Sequence, residues 1–416
     1  MAQAVHARLK DSLDGAAAPG TEAVRAAALE GVFEDIRFTV YEDPAAIAGE
    51  WRAFERKAEG TVFQTYEWLA CWQRHVGQRQ GVRPVIVFGR DTVGPLFLLP
   101  LSVRPVHFTR TLEWLGSDLC DFNGPLLAPR FAAYVDGARF VALWRALTQG
   151  LQAEPRLQYD FVRLTKMAGE VGEQPNPLLA LGATVHPSGA YLTHLSGSWD
   201  EFYAAKRSAS TRRRDRTKRK RLAESGAVRL VTPESNDEIT LTIDLLMMQK
   251  ARAFARMGVA NLFANPGYAD FYRALASDPA SRSIAHVSRL DVGATAAAIN
   301  LGLMHRGRYY HLLASYDDGE VSRFGPGMAH LHELMRYAIE HDCDVFDFTI
   351  GDEDYKRDWS DTELTLYDHV SAATPRGALV VLPLTGLQRL KRWIKQTPLL
   401  WRFASKARAL LGTLRR

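Results

Sequence analysis

Within thirteen residues, DFTIGDEDYKRDW (347–359) carries Asp347, Asp352, Glu353, Asp354, Tyr355 and Lys356 beside Gly351 and Trp359. Crowded carboxylates repel one another, and one can be pushed toward the neutral range in which a general base works. A tyrosine can give a proton to a leaving group. A lysine can hold a phosphate or a developing oxyanion. Asp347, Tyr355 and Lys356 are therefore candidate catalytic residues. His311, on the strand-like run YYHLLAS, is a fourth, as an alternative base; His194 is a weaker one. The plainer reading is a solvated acidic turn, with Lys356 and Trp359 packed locally and His311 hydrogen-bonded on its strand.

A second motif suits anion binding. SRFGPGMAHLHELMRYAIEH (322–341) places Arg323, Gly325, Pro326 and Gly327 at the mouth of a helix striped by Met328, Leu331, Met335, Ala338 and Ile339. Its first turn has no acid, so its N–H groups and dipole face outward as a phosphate receptacle. Arg323, Gly325, Gly327 and Met328 are the candidate donor-binding residues. A tight strand-to-helix turn that uses glycine for positive φ is the alternative.

A third segment, KRSASTRRRDRTKRKR (206–221), has ten Lys/Arg and one acid, Asp215, in a chain whose net charge is only +5. Its cations surround a helix that begins at the capping box SWDE (198–201) and runs on to Gly226. Arg212, Arg216 and Lys220 are candidate anion-binding residues, and a solvated helix arm is the alternative. The tail from 371 to 416 adds ten Lys/Arg and no acid, mixed with Leu, Trp and Phe. That is the composition of an interfacial helix or of a helix docked on its own domain.

These motifs need a scaffold. A length of 416 residues favours two domains. Cys71, Cys120 and Cys343 are far apart, which argues against disulfides or zinc and fits a reducing cytoplasm. No metal is expected. The N-terminus lacks an apolar leader, and the longest apolar runs are too short to span a bilayer. Alternation and caps predict a mobile arm over 1–33, a first α/β module over 34–190, a second over 191–372 and a basic tail over 373–416. The element order of the first module starts again at YLTHL (191–195). The second module then reads as strand, helices, a three-strand meander, helix and strand.

In VFQTYEWLACWQ (62–73), LEWLGSDLCDFNGPLL (112–127), TRRRDRTKRKRLAESGAV (211–228), RFGPG (323–327) and above all DFTIGDEDYKRDW, the chain resembles the CelD-like, cellulose-biosynthesis-type branch of the GCN5-related N-acyltransferase (GNAT) superfamily. Its double layout is similar to that of the FemAB aminoacyl transferases. The resemblance covers roughly 36–372. It implies an α/β (α+β) fold of two GNAT-like modules in tandem, each a mixed, mostly antiparallel sheet flanked by helices.

It also implies an acyl-CoA or acetyl-CoA donor, or an acyl carrier protein, whose phosphates lie on the strand-loop-helix turn. An amine or hydroxyl would attack the thioester directly, and no Gly-x-Ser-x-Gly elbow or nucleophilic cysteine argues otherwise. The family loop is written Q/R-x-x-G-x-G/A, whereas here Arg323 stands one residue closer to its glycine. Envelope lipids or exopolysaccharide precursors are the expected acceptors, at the inner face of the cytoplasmic membrane, where an anionic surface would be a partner. Transfer from tRNA and an inactive assembly role are the alternatives; DNA is not expected.

Overall fold

The computed structural model describes residues 27–383. The chain divides into two compact units, one reaching Pro187 and resuming at Thr365, the other running from Ser188 to Leu364.

In the first unit the principal strands are ordered Ala27–Phe33, Ile36–Tyr41, Arg83–Arg90, Pro95–Val106, Thr109–Trp114, Phe161–Ala168, Leu366–Ala372 and Thr184–Val185. Thr109–Trp114 and Phe161–Ala168 run parallel, with the helix Gly137–Ala153 between them in sequence. Two features differ from the sequence expectation. Ala27–Phe33 lies in the expected arm but pairs with Ile36–Tyr41. It is an edge strand of partly buried residues, so its alternation is faint. Leu366–Ala372, expected to close the second module, pairs instead with Phe161–Ala168. Alternation shows that a strand buries one face, but not which sheet supplies its partner.

The second unit is ordered Val228–Val231, Ala285–Val292, Thr295–His305, Arg308–Tyr316, Val345–Ile350, Ala190–His194 and Thr362–Leu364. Its strands are β1 (Ala190–His194), β2 (Val228–Val231), β3 (Ala285–Val292), β4 (Thr295–His305), β5 (Arg308–Tyr316), β6 (Val345–Ile350) and β7 (Thr362–Leu364). Its helices are α1 (Trp199–Lys206), α2 (Ala209–Ser225), α3 (Asn236–Arg256), α4 (Tyr268–Ser277), α5 (Pro326–Glu340) and α6 (Asp354–Trp359). Only β5 and β6 pair in parallel, and α5 joins them.

The Ser198 capping box forms, with the Ser198 N–H donating to Glu201 Oε2 at 2.8 Å. The helix it opens ends at Lys206, rather than continuing to Gly226. Arg207 is extended, and the Ser208 side chain accepts from the Thr211 N–H at 3.2 Å to start α2 afresh. A serine that satisfies a free N–H is worth about 1 kcal/mol to the new helix.

α5 buries Leu331, Leu334, Met335 and Ala338 against Tyr309, Phe346, Phe348 and Trp359. Each large side chain fully withdrawn from water contributes about 2 kcal/mol. This packing fixes the helix mouth relative to β5 and β6. Among the described residues, no helix is long and apolar enough to cross a membrane.

Candidate active site

β5 and β6 pair through Arg308↔Val345, Tyr309↔Phe346 and Tyr310↔Asp347, and their register ends there. Each strand then carries one extra residue. Between Leu303↔Tyr310 and Leu301↔Leu313, β5 bulges at His311–Leu312. Between Leu192↔Asp347 and Tyr191↔Thr349, β6 bulges at Phe348. Two bulges at one level turn the strands apart and re-aim their side chains. Thr349 sits at φ 61 with its N–H donating to Asp347 Oδ1 at 2.8 Å. A left-handed β-branched residue is strained, and such strain concentrates at functional positions.

The other end of the opening is the mouth of α5. Five residues of extended β5 separate His311 from Tyr316, about 16 Å. The position a Cβ would take on Gly327 lies 3.5 Å from Tyr316 Cδ1, so the glycine loop stands against the strand end. The helix starts at Pro326, two residues before Met328. Gly325 is left-handed at φ 71, no side chain caps the mouth and its first turn holds no acid. Its outward N–H groups and dipole favour an anion.

α2 supplies cations beside this turn. Lys218 Nζ lies 3.9 Å from the Cβ position of Gly325. A cleft here is lined by Arg216, Lys218 and Arg219 of α2 together with Gly325 and Met328. Of the three α2 residues expected from the sequence, only Arg216 lines it; Arg212 and Lys220 do not. Arg323 is exposed with its guanidinium 4.8 Å above the Phe324 ring.

The expected catalytic residues gather at the opening, except that Asp347 belongs to the paired part of the strands. Its carboxylate is fully buried and pairs with Arg308 at 3.3 Å. That environment is structural rather than acceptor-facing. Losing one partner of a buried pair is strongly destabilising. Asp347→Asn is therefore expected to lower the unfolding midpoint while the folded fraction keeps most of its turnover. Thermal unfolding read beside active-site-normalised kcat checks this.

Lys356 is 4 % exposed and donates to the Ile350 carbonyl at 2.7 Å, with Glu353 at 3.2 Å. A Cβ on Gly351, at φ 146, would fall 2.6 Å from that amine, so glycine makes room for it. Held in this way, the Lys356 amine is fixed in place at the strand end.

His311 is buried, its ring 5.9 Å from Phe346 and 6.4 Å from Tyr355. Burial, reinforced by Lys356, His330 and Lys250, pushes its pKa down to about 3, so it is neutral at physiological pH. Burial pushes the Tyr355 phenol well up, helped by Glu353, so it keeps its proton.

Lys250 of α3 completes the group. Its amine donates to the Ala314 carbonyl of β5 at 3.2 Å, and burial lowers its pKa. Sequence reasoning missed Lys250, His330, His332 and Lys218. The first lies in the mixed run MMQKARAF of α3, where nothing local marks it.

The unit also buries His330, bonded to Ser288 Oγ at 3.0 Å, and His286, bonded to Tyr309 at 2.9 Å. Burial depresses these to about 3 and about 4. With His311, their folded values all lie below the unfolded value near 6.5. Below that value the unfolded chain takes up protons that the folded one refuses, so stability falls as pH drops from about 6.5 toward 3. Denaturant midpoints measured from pH 7 to pH 4 should decrease, and a flat profile would contradict the neutral, buried histidines.

Residues 209–357, from the start of α2 into α6, match the family model described as an acetyltransferase (GNAT) domain. That match lies within the second unit and supports a transferase. Among solved structures, FemX superposes with a TM-score of 0.55 at 12 % identity, over 78 % of this chain and 96 % of its own. A conserved protein of unknown function from Bacteroides thetaiotaomicron VPI-5482 gives 0.51 at 13 % identity, over 79 % and 98 %. These likenesses concern the fold, a mixed α/β arrangement of sheets flanked by helices. No curated protein sequence matches the chain.

Proposed function

We propose that the second unit moves an acyl group from an acyl-CoA-type thioester to an amine or hydroxyl of an envelope lipid or exopolysaccharide precursor, as in the CelD-like branch. One observation carries the reading: a single strand, β5, leads from a sheet opening at His311 to an uncapped helix mouth at Gly325–Gly327.

The freed edge of β5 can pair with the amides of a pantetheine arm as an added strand would. Phosphates at the helix mouth then anchor the donor, and its thioester reaches the level of His311 and Tyr355. The acceptor nitrogen or oxygen bonds to the thioester carbon, and the carbon–sulfur bond breaks. Neutral His311 accepts a hydrogen bond from the attacking group, takes its proton, which the new bond to carbon has made acidic, and passes it to solvent. Tyr355 gives its proton to the departing thiolate and recovers one from solvent. The fixed charge of Lys356 favours the oxyanion between these steps.

The exposed cations of α2 favour a second reading, aminoacyl transfer from tRNA. The cationic tail invoked for a membrane surface lies largely outside the described residues.

The test incubates purified protein with acetyl-CoA and long-chain acyl-CoAs in the presence of envelope extract. Thermal shift and free-thiol release are recorded, and lipid and glycan extracts of cells with and without the gene are compared by mass spectrometry. A shift, thiol release and a missing acylated product are expected. Absence of both shift and thiol release with every CoA overturns the proposal, and co-purifying tRNA would redirect it to the second reading.

A further inference from the structure

Lys250 of α3 has no part in the chemistry proposed above. It is half-buried, and its amine donates to the Ala314 carbonyl at 3.2 Å with the Phe254 ring 5.5 Å away. Neither neighbour is an anion. The acid whose charge bears on Lys250 is Glu353, and that carboxylate already pairs with Lys356 at 3.2 Å. The other acids of the same turn are engaged elsewhere. Asp347 pairs with Arg308, Asp352 accepts from Ser188 at 3.2 Å and Asp354 pairs with Arg357 at 3.7 Å.

Two ammonium groups thus share one carboxylate. Beside them His311 is neutral and Tyr355 keeps its proton, so the opening holds a surplus positive charge. A half-buried ammonium bonded to a neutral carbonyl is poorly compensated. An ammonium has three N–H donors, and an anionic group on a ligand would supply the missing partner. The same surplus repels a lone ammonium, so an acceptor that carries its own acid fits this opening better than a simple amine. Ala314 stands three residues beyond His311 on β5, about 10 Å of extended strand. Lys250 and Lys356 both raise the cost of charging His311. One headgroup can therefore reach both the base and Lys250.

We infer that Lys250 selects an acceptor bearing an acidic group, a phosphate or a carboxylate, near its nucleophilic amine or hydroxyl. The ammonium bonds to that acid while the nucleophile faces His311. The inference rests on the transferase reading above and narrows its acceptor class. Neutral sugars and simple amines are disfavoured, whereas phosphate-bearing headgroups and carboxylate-bearing sugars or amino compounds are favoured. Lys250 binds and orients the acceptor, and proton transfer stays with His311 and Tyr355.

Two experiments on the full chain test this. In the first, a detergent-solubilised envelope extract is divided on an anion exchanger into retained and unretained fractions. Thiol release from acetyl-CoA and long-chain acyl-CoAs is followed with the unaltered protein, Lys250→Met and Lys250→Arg. Methionine keeps an apolar stem and removes the charge, and arginine keeps the charge. The acceptor is expected in the retained fraction. Lys250→Met should raise the amount giving half the maximal rate by about tenfold or more, with a maximal rate within about twofold, while Lys250→Arg stays near normal. In the second, trace acetylation of Lys250 by acetic anhydride in the unaltered protein is read by mass spectrometry of its peptide. Glycerol 3-phosphate, glycolate or glycerol is present. An anion should slow this labelling about twofold or more and glycerol should not, and the anion that protects better assigns the acid as phosphate or carboxylate. An acceptor confined to the unretained fraction overturns the inference while the transferase reading stands. So does a Lys250→Met variant that loses maximal rate at unchanged half-saturation, or labelling indifferent to both anions. If no fraction gives thiol release with any CoA but an anion still protects Lys250, the anion site stands and the transferase reading fails.

Discussion

Gly327→Asp is expected to abolish donor binding without unfolding the protein. The Cβ position at Gly327 meets nothing closer than Tyr316 at 3.5 Å, an ordinary contact, and the residue is not among those with positive φ. A side chain therefore fits. An acid in the first turn of a helix stabilises it by about 0.3–1 kcal/mol through the dipole. On the proposed reading, however, the same carboxylate stands where the donor's phosphate would bind. Two like charges about 4 Å apart repel by about 4 kcal/mol at an effective dielectric constant of 20. Donor affinity should therefore drop by about a hundredfold or more, while the ligand-free unfolding midpoint stays level or rises. Gly327→Ala, which adds bulk without charge, should bind nearly normally. An unchanged donor Kd in the aspartate variant would remove this loop from the site.

Tyr355→Phe is expected to lower kcat by about a hundredfold and to leave donor Kd intact. The ring is retained, so its packing near Phe348 and His311, with centroids 6.2 and 6.4 Å away, survives. Only the hydroxyl, and with it the transferable proton, is lost. The burial that raises the phenol pKa keeps that proton available across the physiological range. The loss should shrink for acyl donors built on more acidic thiols, whose thiolates leave without help. A uniform loss across such donors would assign Tyr355 to positioning, and full activity would exclude it from the chemistry.

Sequence alone shows several elements of this site and hides others. The glycine loop was legible because Arg323, Gly325, Pro326 and Gly327 are contiguous and precede a striped helix. Tyr355 and Lys356 were legible for a similar reason, lying together after a strand. The role of Lys356 was not, because its amine is tied to Ile350, a contact created by the turn at Gly351. Asp347 looked like a base because it heads an acidic run. Its partner Arg308 is 39 residues away and meets it only through the parallel pairing of β5 and β6. The break between α1 and α2 was hidden because a basic segment reads as continuous helix, while the Ser208 cap competes for the same backbone groups.

What the sequence determined by itself was local: alternation for strands, the stripe of α5, the cap at Ser198, and the glycines that leave a helix mouth bare. Those signals arise from interactions between residues a few positions apart, which the chain encodes directly. Tertiary structure alone decided that Leu366–Ala372 joins the first sheet, that two bulges open β5 from β6, and that His332, Lys218 and Trp199 meet over Gly325. These arrangements depend on which distant surfaces bury one another, and no spacing along the chain records that choice.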